Sequence, residues 1–121
     1  MAIRILIVDD DASMRNALRE IITAHGWELV GVASNGRDGV EKAVSLKPDI
    51  TLMDIVMPYM NGIEATREIL RQDPGAIVII CSLLNFEPMA RNAIEAGARD
   101  FLVKPFNPHR VKQIVEKVLK K

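Results

Sequence analysis

Asp54 is a carboxylate in an apolar stretch, between Met53 and Ile55 in the segment LMDIVM. Burying an unpaired carboxylate is costly, so this residue needs either hydrogen-bonding partners or a chemical task. From this stretch alone, a structural carboxylate bonded to backbone amides and a reactive carboxylate are equally acceptable interpretations. The choice depends on which other charged side chains the fold brings to the same place.

Other charged residues also follow short apolar runs. Asp9, Asp10 and Asp11 come directly after IRILIV, and Lys104 comes directly after DFLV. Carboxylates that cluster in a partly buried pocket repel one another, and a divalent cation or a lysine ammonium group relieves that repulsion. Carboxylate oxygens are the ligands that Mg²⁺ prefers. Asp11 is also well placed to cap a helix that begins just after it.

Ligands for softer metals are scarce in this sequence. Cys81 is the single cysteine, and His25 and His109 do not have the spacing of a zinc site. A single cysteine excludes an internal disulfide and fits a reducing compartment, so we expect a cytoplasmic protein. No apolar run approaches the roughly 18 residues that a membrane span requires.

The composition of the 121-residue chain, 49% hydrophobic and 26% charged, is typical of a folded domain and not of a disordered segment. Its 16 basic residues balance its 16 acidic residues. This balance gives no general attraction to nucleic acid or to an anionic membrane, so we expect neither as a direct partner. We expect one domain over residues 1–121 and a monomer.

The apolar runs alternate with longer amphipathic segments. Hydrophobic patterning predicts strands at 3–8, 28–33, 49–53, 76–81 and 100–103, and helices at 12–25, 36–46, 62–72, 87–96 and from 107 onward. Five strand-then-helix repeats predict an α/β domain whose parallel sheet is covered on both faces. Ligands bind such sheets at the carboxyl ends of the strands, and the charged residues described above are expected at that edge.

Four segments in this order resemble the receiver domains of two-component response regulators. They are ILIVDDD, DIVMPYMNG, the isolated Ser82 after the fourth apolar run, and AGARDFLVKPF. The resemblance extends over essentially the whole chain and is greatest to the single-domain, CheY-like chemotaxis type. It implies a flavodoxin-like (βα)5 three-layer sandwich with a five-stranded parallel sheet of order 2-1-3-4-5.

The resemblance also implies roles for the carboxylates. Asp54 would accept a phosphoryl group from a sensor histidine kinase, from a phosphotransfer protein or from a small donor such as acetyl phosphate. Asp9, Asp10, Asp54 and the backbone carbonyl of Val56 would bind Mg²⁺, with Asp9 acting through a water or a hydrogen bond.

The remaining motif positions imply a switch. Ser82 and Lys104 would each contact a phosphoryl oxygen, and the Lys104–Pro105 peptide bond would be cis. Movement of Ser82 towards the phosphate would let Phe101 turn, which would change the surface formed by the fourth helix, fifth strand and fifth helix. A downstream protein, such as a flagellar motor switch or another effector, would read that surface. Leu83 departs from the family, since most receivers have a small residue there, and its bulk could narrow access to Asp54.

Three other functions are compatible with parts of the pattern. A Mg²⁺-dependent phosphatase also uses an aspartate nucleophile, but it usually needs a general acid two residues later, where this chain has Val56. A flavin or dinucleotide binder needs a glycine-rich cradle, which the segment DDDASM lacks. An unphosphorylated scaffold receiver would not need the complete set of acceptor, metal ligands and lysine. We therefore expect a signalling module, not an enzyme, that catalyses only its own phosphorylation and dephosphorylation.

Overall fold

A computed structural model describes residues 2–83 and 87–120. The strands and helices alternate along the chain. The strands are β1 (Arg4–Val8), β2 (Glu28–Ala33), β3 (Ile50–Asp54), β4 (Val78–Ser82) and β5 (Asp100–Val103). The helices are α1 (Ala12–Ala24), α2 (Gly36–Leu46), α3 (Gly62–Gln72), α4 (Glu87–Glu95) and α5 (Pro108–Leu119).

The five strands form one parallel sheet in the order β2-β1-β3-β4-β5. This order confirms the predicted flavodoxin-like topology. The predicted element boundaries agree with the structure to within two residues, and the largest differences are in β4, which begins at Val78 and not at residue 76. Ala76 instead closes a turn, because its amide donates to the carbonyl of Asp73 at 3.0 Å.

The sheet is the middle of three layers, with one hydrophobic cluster on each face. Successive residues of β1 alternate between the two clusters: Ile5 and Ile7 pack on the face of α1 and α5, and Leu6 and Val8 pack on the face of α2, α3 and α4. All four side chains are fully buried. A strand covered on both faces does not need polar residues at alternate positions, which is why these runs are continuously apolar.

The first turn of α3 packs tightly against the end of β3. The amide of Gly62 donates to the carbonyl of Ile55 at 2.8 Å, and a β-carbon at residue 62 would collide with the carbonyl oxygen of Asp54. Asn61 caps the helix: its side chain accepts from the amide of Glu64 at 2.9 Å, and the Glu64 side chain accepts from the amide of Asn61 at 3.2 Å. The absence of a side chain at Gly62 therefore lets α3 begin directly beside Asp54.

Replacing Gly62 by alanine is expected to destabilise the protein by about 1–3 kcal/mol, because the new methyl group has to displace backbone and not a flexible side chain. Gly75→Ala is the matched control, since a β-carbon there would find its nearest neighbour, Asp73 Oδ1, at an ordinary 3.6 Å. Urea unfolding of the two variants measures the difference. Equal stability of Gly62→Ala and Gly75→Ala would contradict the close approach.

None of the helices in the described part of the chain combines the length and the apolar character that crossing a membrane requires.

Candidate functional site

The register of the sheet brings Asp9 and Asp54 to the same level. Val8 pairs with Met53, so the next residue of each segment, Asp9 or Asp54, lies one step further towards the carboxyl edge. Asp54 itself pairs with Cys81 and is the last residue of β3, whereas the sequence predicted that the strand ends at Met53. The acceptor candidate is therefore held in the sheet by its pairing with β4 and does not lie in a loop.

Lys104, the residue after β5, forms ion pairs with both Asp9 and Asp54. Its Nζ atom lies 2.8 Å from Asp9 Oδ2 and 3.2 Å from Asp54 Oδ1, and only 5% of its side chain is exposed. Its backbone amide donates to the carbonyl of Ser82 at 2.7 Å, which continues the pairing of β4 and β5 one residue beyond β5. The Lys104–Pro105 peptide bond is cis. One ammonium group thus bonds carboxylates that precede it by 95 and 50 residues.

The electrostatics of the site oppose the charge on Asp54. Burial raises the pKa of the Asp54 carboxyl, the negative charge of Asp9 raises this pKa further, and Lys104 only partly opposes the two. Burial by itself would lower the pKa of Lys104, but the hydrogen bond to Asp9 and the charge of Asp54 outweigh it and leave the pKa raised. The lysine stays charged, and the carboxylates still carry an excess of negative charge.

The arrangement of the carboxylates suits a hard divalent cation. One oxygen atom from each of Asp9, Asp10 and Asp54 lies within 4.8 Å of the others. Asp9 is buried, Asp54 is 9% exposed and Asp10 is exposed, so a bound ion would keep access to water on one side. Mg²⁺ prefers a few carboxylates together with several waters, and the donor set fits that ion.

The cluster lies in a pocket of about 540 Å³. Its lining combines the acidic residues and Lys104 with apolar side chains, among them Val56, Leu83 and Met89. The side chains of Val56 and Leu83 are largely exposed, by 75% and 67%, so they border the opening and do not fill it. Met89 also packs against the hydrophobic cluster, and its contribution to this lining has no signal in the local sequence.

The two switch candidates lie in different surroundings. Ser82 is half-buried at the end of β4 and contributes to the pocket lining. Phe101, also half-buried, pairs with Ile80 in the sheet and packs against the cluster beneath α2, α3 and α4. The structure therefore brings Ser82 together with Asp54 and Lys104, whereas Phe101 contacts the core.

The loop between β1 and α1 is held by hydrogen bonds of two kinds. The side chain of Asp11 caps α1 by accepting from the amide of Ser13 at 2.9 Å and from its hydroxyl at 2.8 Å, which confirms the predicted capping role. These bonds lower the pKa of the Asp11 carboxyl, and the bond from the Ser13 hydroxyl has the largest effect.

A second hydrogen bond in this loop involves Arg15, whose Nη1 donates to the carbonyl oxygen of Asp9 at 2.8 Å. Arg15 was not predicted as a site residue, and its one available signal in the sequence is a long basic side chain one turn into a helix that follows the carboxylates.

Comparisons with known proteins give a consistent result. A family model described as the response regulator receiver domain matches residues 5–116. Chemotaxis protein CheY of Thermotoga maritima is 54% identical over 120 residues, which are 99% of this chain and 100% of that protein. Chemotaxis protein CheY of Bacillus subtilis is 47% identical over 119 residues, covering 98% of this chain and 99% of that protein.

A solved structure has nearly the same fold. The CheX–CheY–BeF3–Mg²⁺ complex from Borrelia burgdorferi includes a chain that is 34% identical and superimposes with a TM-score of 0.93. The match covers 98% of this chain and 90% of that one.

Proposed function

The chain belongs to the family of response regulator receiver domains, as a CheY-like member of two-component systems, and on that premise we propose that Asp54 accepts a phosphoryl group from a histidine kinase. The observation that carries the proposal is the position of Asp54, which ends β3, bonds Lys104 at 3.2 Å and lies beside the carboxylates of Asp9 and Asp10. A phosphotransfer protein or acetyl phosphate would serve as an alternative donor.

Phosphoryl transfer requires a nucleophile together with positively charged groups, and this site has both. The transition state needs a nucleophile in line with the leaving group and positive charge near the equatorial oxygens. A carboxylate oxygen of Asp54 attacks phosphorus while the bond from phosphorus to the donor breaks, which releases the histidine imidazole of the kinase or, from acetyl phosphate, acetate. The ammonium group of Lys104 pairs with an oxygen of the transferred group. Ser82 donates its hydroxyl to another oxygen.

Mg²⁺ fits the same pocket, and receiver domains generally bind this ion at an acidic site. We assign Asp10, Asp54 and the backbone carbonyl of Val56 as its direct ligands, with Asp9 acting through a water or a hydrogen bond. When bound, the ion would supply positive charge that offsets the carboxylates and the incoming phosphoryl oxygens.

The output of the switch is a change of surface. Phosphorylation adds about −1.5 to −2 charge and strong acceptor oxygens, to which Ser82 moves. Phe101 then turns into the space beside β4, and the surface formed by α4, β5 and α5 changes shape. The phosphorylated form favours one of two conformations, so a partner that prefers that conformation binds more tightly. Candidate partners are a flagellar motor switch, a CheX-like protein of the kind named in the Borrelia complex, or another effector.

CheY-type receiver domains are generally not enzymes apart from their own phosphoryl chemistry, and no observation favours the phosphatase or scaffold alternatives. We further propose that one receiver domain occupies residues 1–121 and acts as a monomer in the cytoplasm. The buried, unpaired Cys81 supports a reducing compartment. The balanced charge of the chain supports partners other than nucleic acid or membrane.

Incubation with acetyl phosphate and Mg²⁺, followed by intact mass spectrometry, tests the function. We expect the mass of one phosphoryl group to be gained with Mg²⁺ and not gained when a chelator removes the ion, because the uncompensated carboxylates repel the donor. Failure to gain the group under any metal condition, from acetyl phosphate or from a phosphorylated histidine kinase, would overturn the proposal.

A further inference from the structure

We propose that Arg15 is a positioning residue of the metal site, which orients the Asp9–Asp10 peptide unit by donating a hydrogen bond to the carbonyl of Asp9. The inference rests on the proposed function, because it assigns a residue to the Mg²⁺ pocket of the same site. Arg15 itself does not line that pocket. It lies one turn into α1 and reaches the site through the backbone carbonyl of Asp9.

The hydrogen bond from Arg15 provides a donor for the buried carbonyl oxygen of Asp9. Asp9 is 1% exposed, and its carbonyl follows the last residue of β1. Within residues 2–83 and 87–120, the guanidinium of Arg15 is the one donor that reaches this oxygen, at 2.8 Å from Nη1. A buried carbonyl without a donor is unfavourable, so loss of the arginine would turn this peptide unit towards water.

The orientation of this particular peptide unit matters for the carboxylates. A peptide unit is planar, so the direction of the Asp9 carbonyl also sets the direction in which the chain continues to Asp10. The carboxylate of Asp9 is already held by Lys104 at 2.8 Å and by the amide of Asp11 at 2.9 Å. Asp10 is exposed, so packing does not orient it. The bond from Arg15 therefore holds the peptide unit from which the Asp10 residue continues, and so limits where the Asp10 carboxylate can lie.

Isothermal titration calorimetry with Mg²⁺ tests the role without phosphoryl transfer. Arg15→Met is expected to weaken Mg²⁺ binding about 10-fold, a typical cost of removing a group that holds a metal ligand in place. Arg19→Met is the matched control: it removes the same charge from an exposed position one turn further along α1. Arg19→Met should bind Mg²⁺ as the wild-type protein does. Equal weakening in both variants would show that the contact with Asp9 has no specific role and would overturn the inference, because the loss of positive charge alone would favour Mg²⁺ binding in both.

A second variant separates charge from geometry. Arg15→Lys keeps the charge on a shorter stem without the guanidinium fork, so it is expected to weaken Mg²⁺ binding in the same direction as Arg15→Met. Wild-type affinity in Arg15→Lys would overturn the inference. If Arg15→Met does not fold, Arg15→Lys provides the test by itself.

Amide hydrogen exchange in the metal-free protein gives a readout that needs no ion. The amide of Asp11 bonds Asp9 Oδ1, so its exchange should become faster in Arg15→Met and stay unchanged in Arg19→Met. Unchanged exchange in Arg15→Met would contradict the positioning role.

The outcomes distinguish this inference from the proposed function. Wild-type protein that binds Mg²⁺ but gains no phosphoryl group would overturn the function and leave the role of Arg15 to be decided by calorimetry. Wild-type protein that gains the group, while Arg15→Met binds Mg²⁺ equally well, would overturn only the role of Arg15.

Discussion

Asp54→Asn is expected to abolish the gain of a phosphoryl group from acetyl phosphate and Mg²⁺. The amide side chain has the shape of the carboxylate but lacks its negative oxygen, so it cannot attack phosphorus to form an acyl phosphate. It also removes one of the proposed metal ligands. Intact mass spectrometry should show the variant unmodified under conditions in which the wild-type protein is fully modified.

The same variant should not lose stability, which separates lost chemistry from misfolding. Because the pKa of Asp54 is raised in the folded protein, its ionisation is less favourable there than in the unfolded chain. When the pKa of a carboxyl group is higher in the folded protein than in the unfolded chain, the free energy of unfolding decreases as pH rises from the unfolded-state pKa to the folded-state pKa. The ionised carboxylate of Asp54 therefore destabilises the metal-free protein at neutral pH. Metal-free Asp54→Asn is therefore expected to unfold at the same or a higher urea concentration than the wild-type protein at pH 7.

Asp73→Asn is the control for this prediction. Asp73 ends α3 at the opposite edge of the sheet, and its Oδ1 accepts from the amide of Gly75 at 3.2 Å, a bond that asparagine can keep. This variant should be phosphorylated as the wild-type protein is. Phosphoryl gain by Asp54→Asn, or loss of the gain in both variants, would show that Asp54 is not the specific acceptor.

Lys104→Met is expected to lower the free energy of unfolding of the metal-free protein by about 3 kcal/mol, the lower end of the range for removing one partner of a buried ion pair. The side chain of Asp9 is 2% exposed and that of Asp54 is 12% exposed, and both would lose their ammonium partner. The uncompensated carboxylates would then repel each other at close range. Mg²⁺ should restore part of the stability, because an ion that binds only the folded state stabilises it by mass action.

Lys117→Met is the matched control, since it removes another lysine from an aspartate at a similar distance. Lys117 Nζ lies 3.2 Å from Asp100 Oδ2, but its side chain is 73% exposed. An exposed pair contributes only about 0–1 kcal/mol, so Lys117→Met should unfold close to the wild-type protein. Urea unfolding with and without Mg²⁺ measures both variants. A loss in Lys104→Met no larger than that in Lys117→Met would mean that the buried pair is not what stabilises the site.

The element order and the edge of the sheet that carries the chemistry were predictable from the sequence. Continuous apolar runs and helical spacing are local patterns, and they predicted β2 and α3 with the bounds that the structure has. Parallel strands joined by helices bring their carboxyl ends to one edge, so Asp9, Asp54 and Lys104 could be assigned to one region without coordinates. The strand order itself came from the family resemblance and not from periodicity.

Two features of the site depend on contacts that local patterns do not contain. Asp54 is part of β3 because it pairs with Cys81 of β4, and a cross-strand partner has no periodic signal within the segment LMDIVM. Arg15 contacts the carbonyl of Asp9, six residues earlier, across the connection between β1 and α1. Both features depend on how the backbone segments are placed relative to one another in the folded protein.

The sequence by itself determined the kinds of groups available: carboxylates and a lysine that follow separate apolar runs, with oxygen ligands in excess of cations. Only the tertiary structure decided how these groups are paired, with Lys104 closer to Asp9 than to Asp54 and Asp10 left exposed. The physical reason is that pairing in a buried pocket depends on differences of a few tenths of an ångström between side chains that are 50 and 95 residues apart, and these differences are set by sheet register and packing.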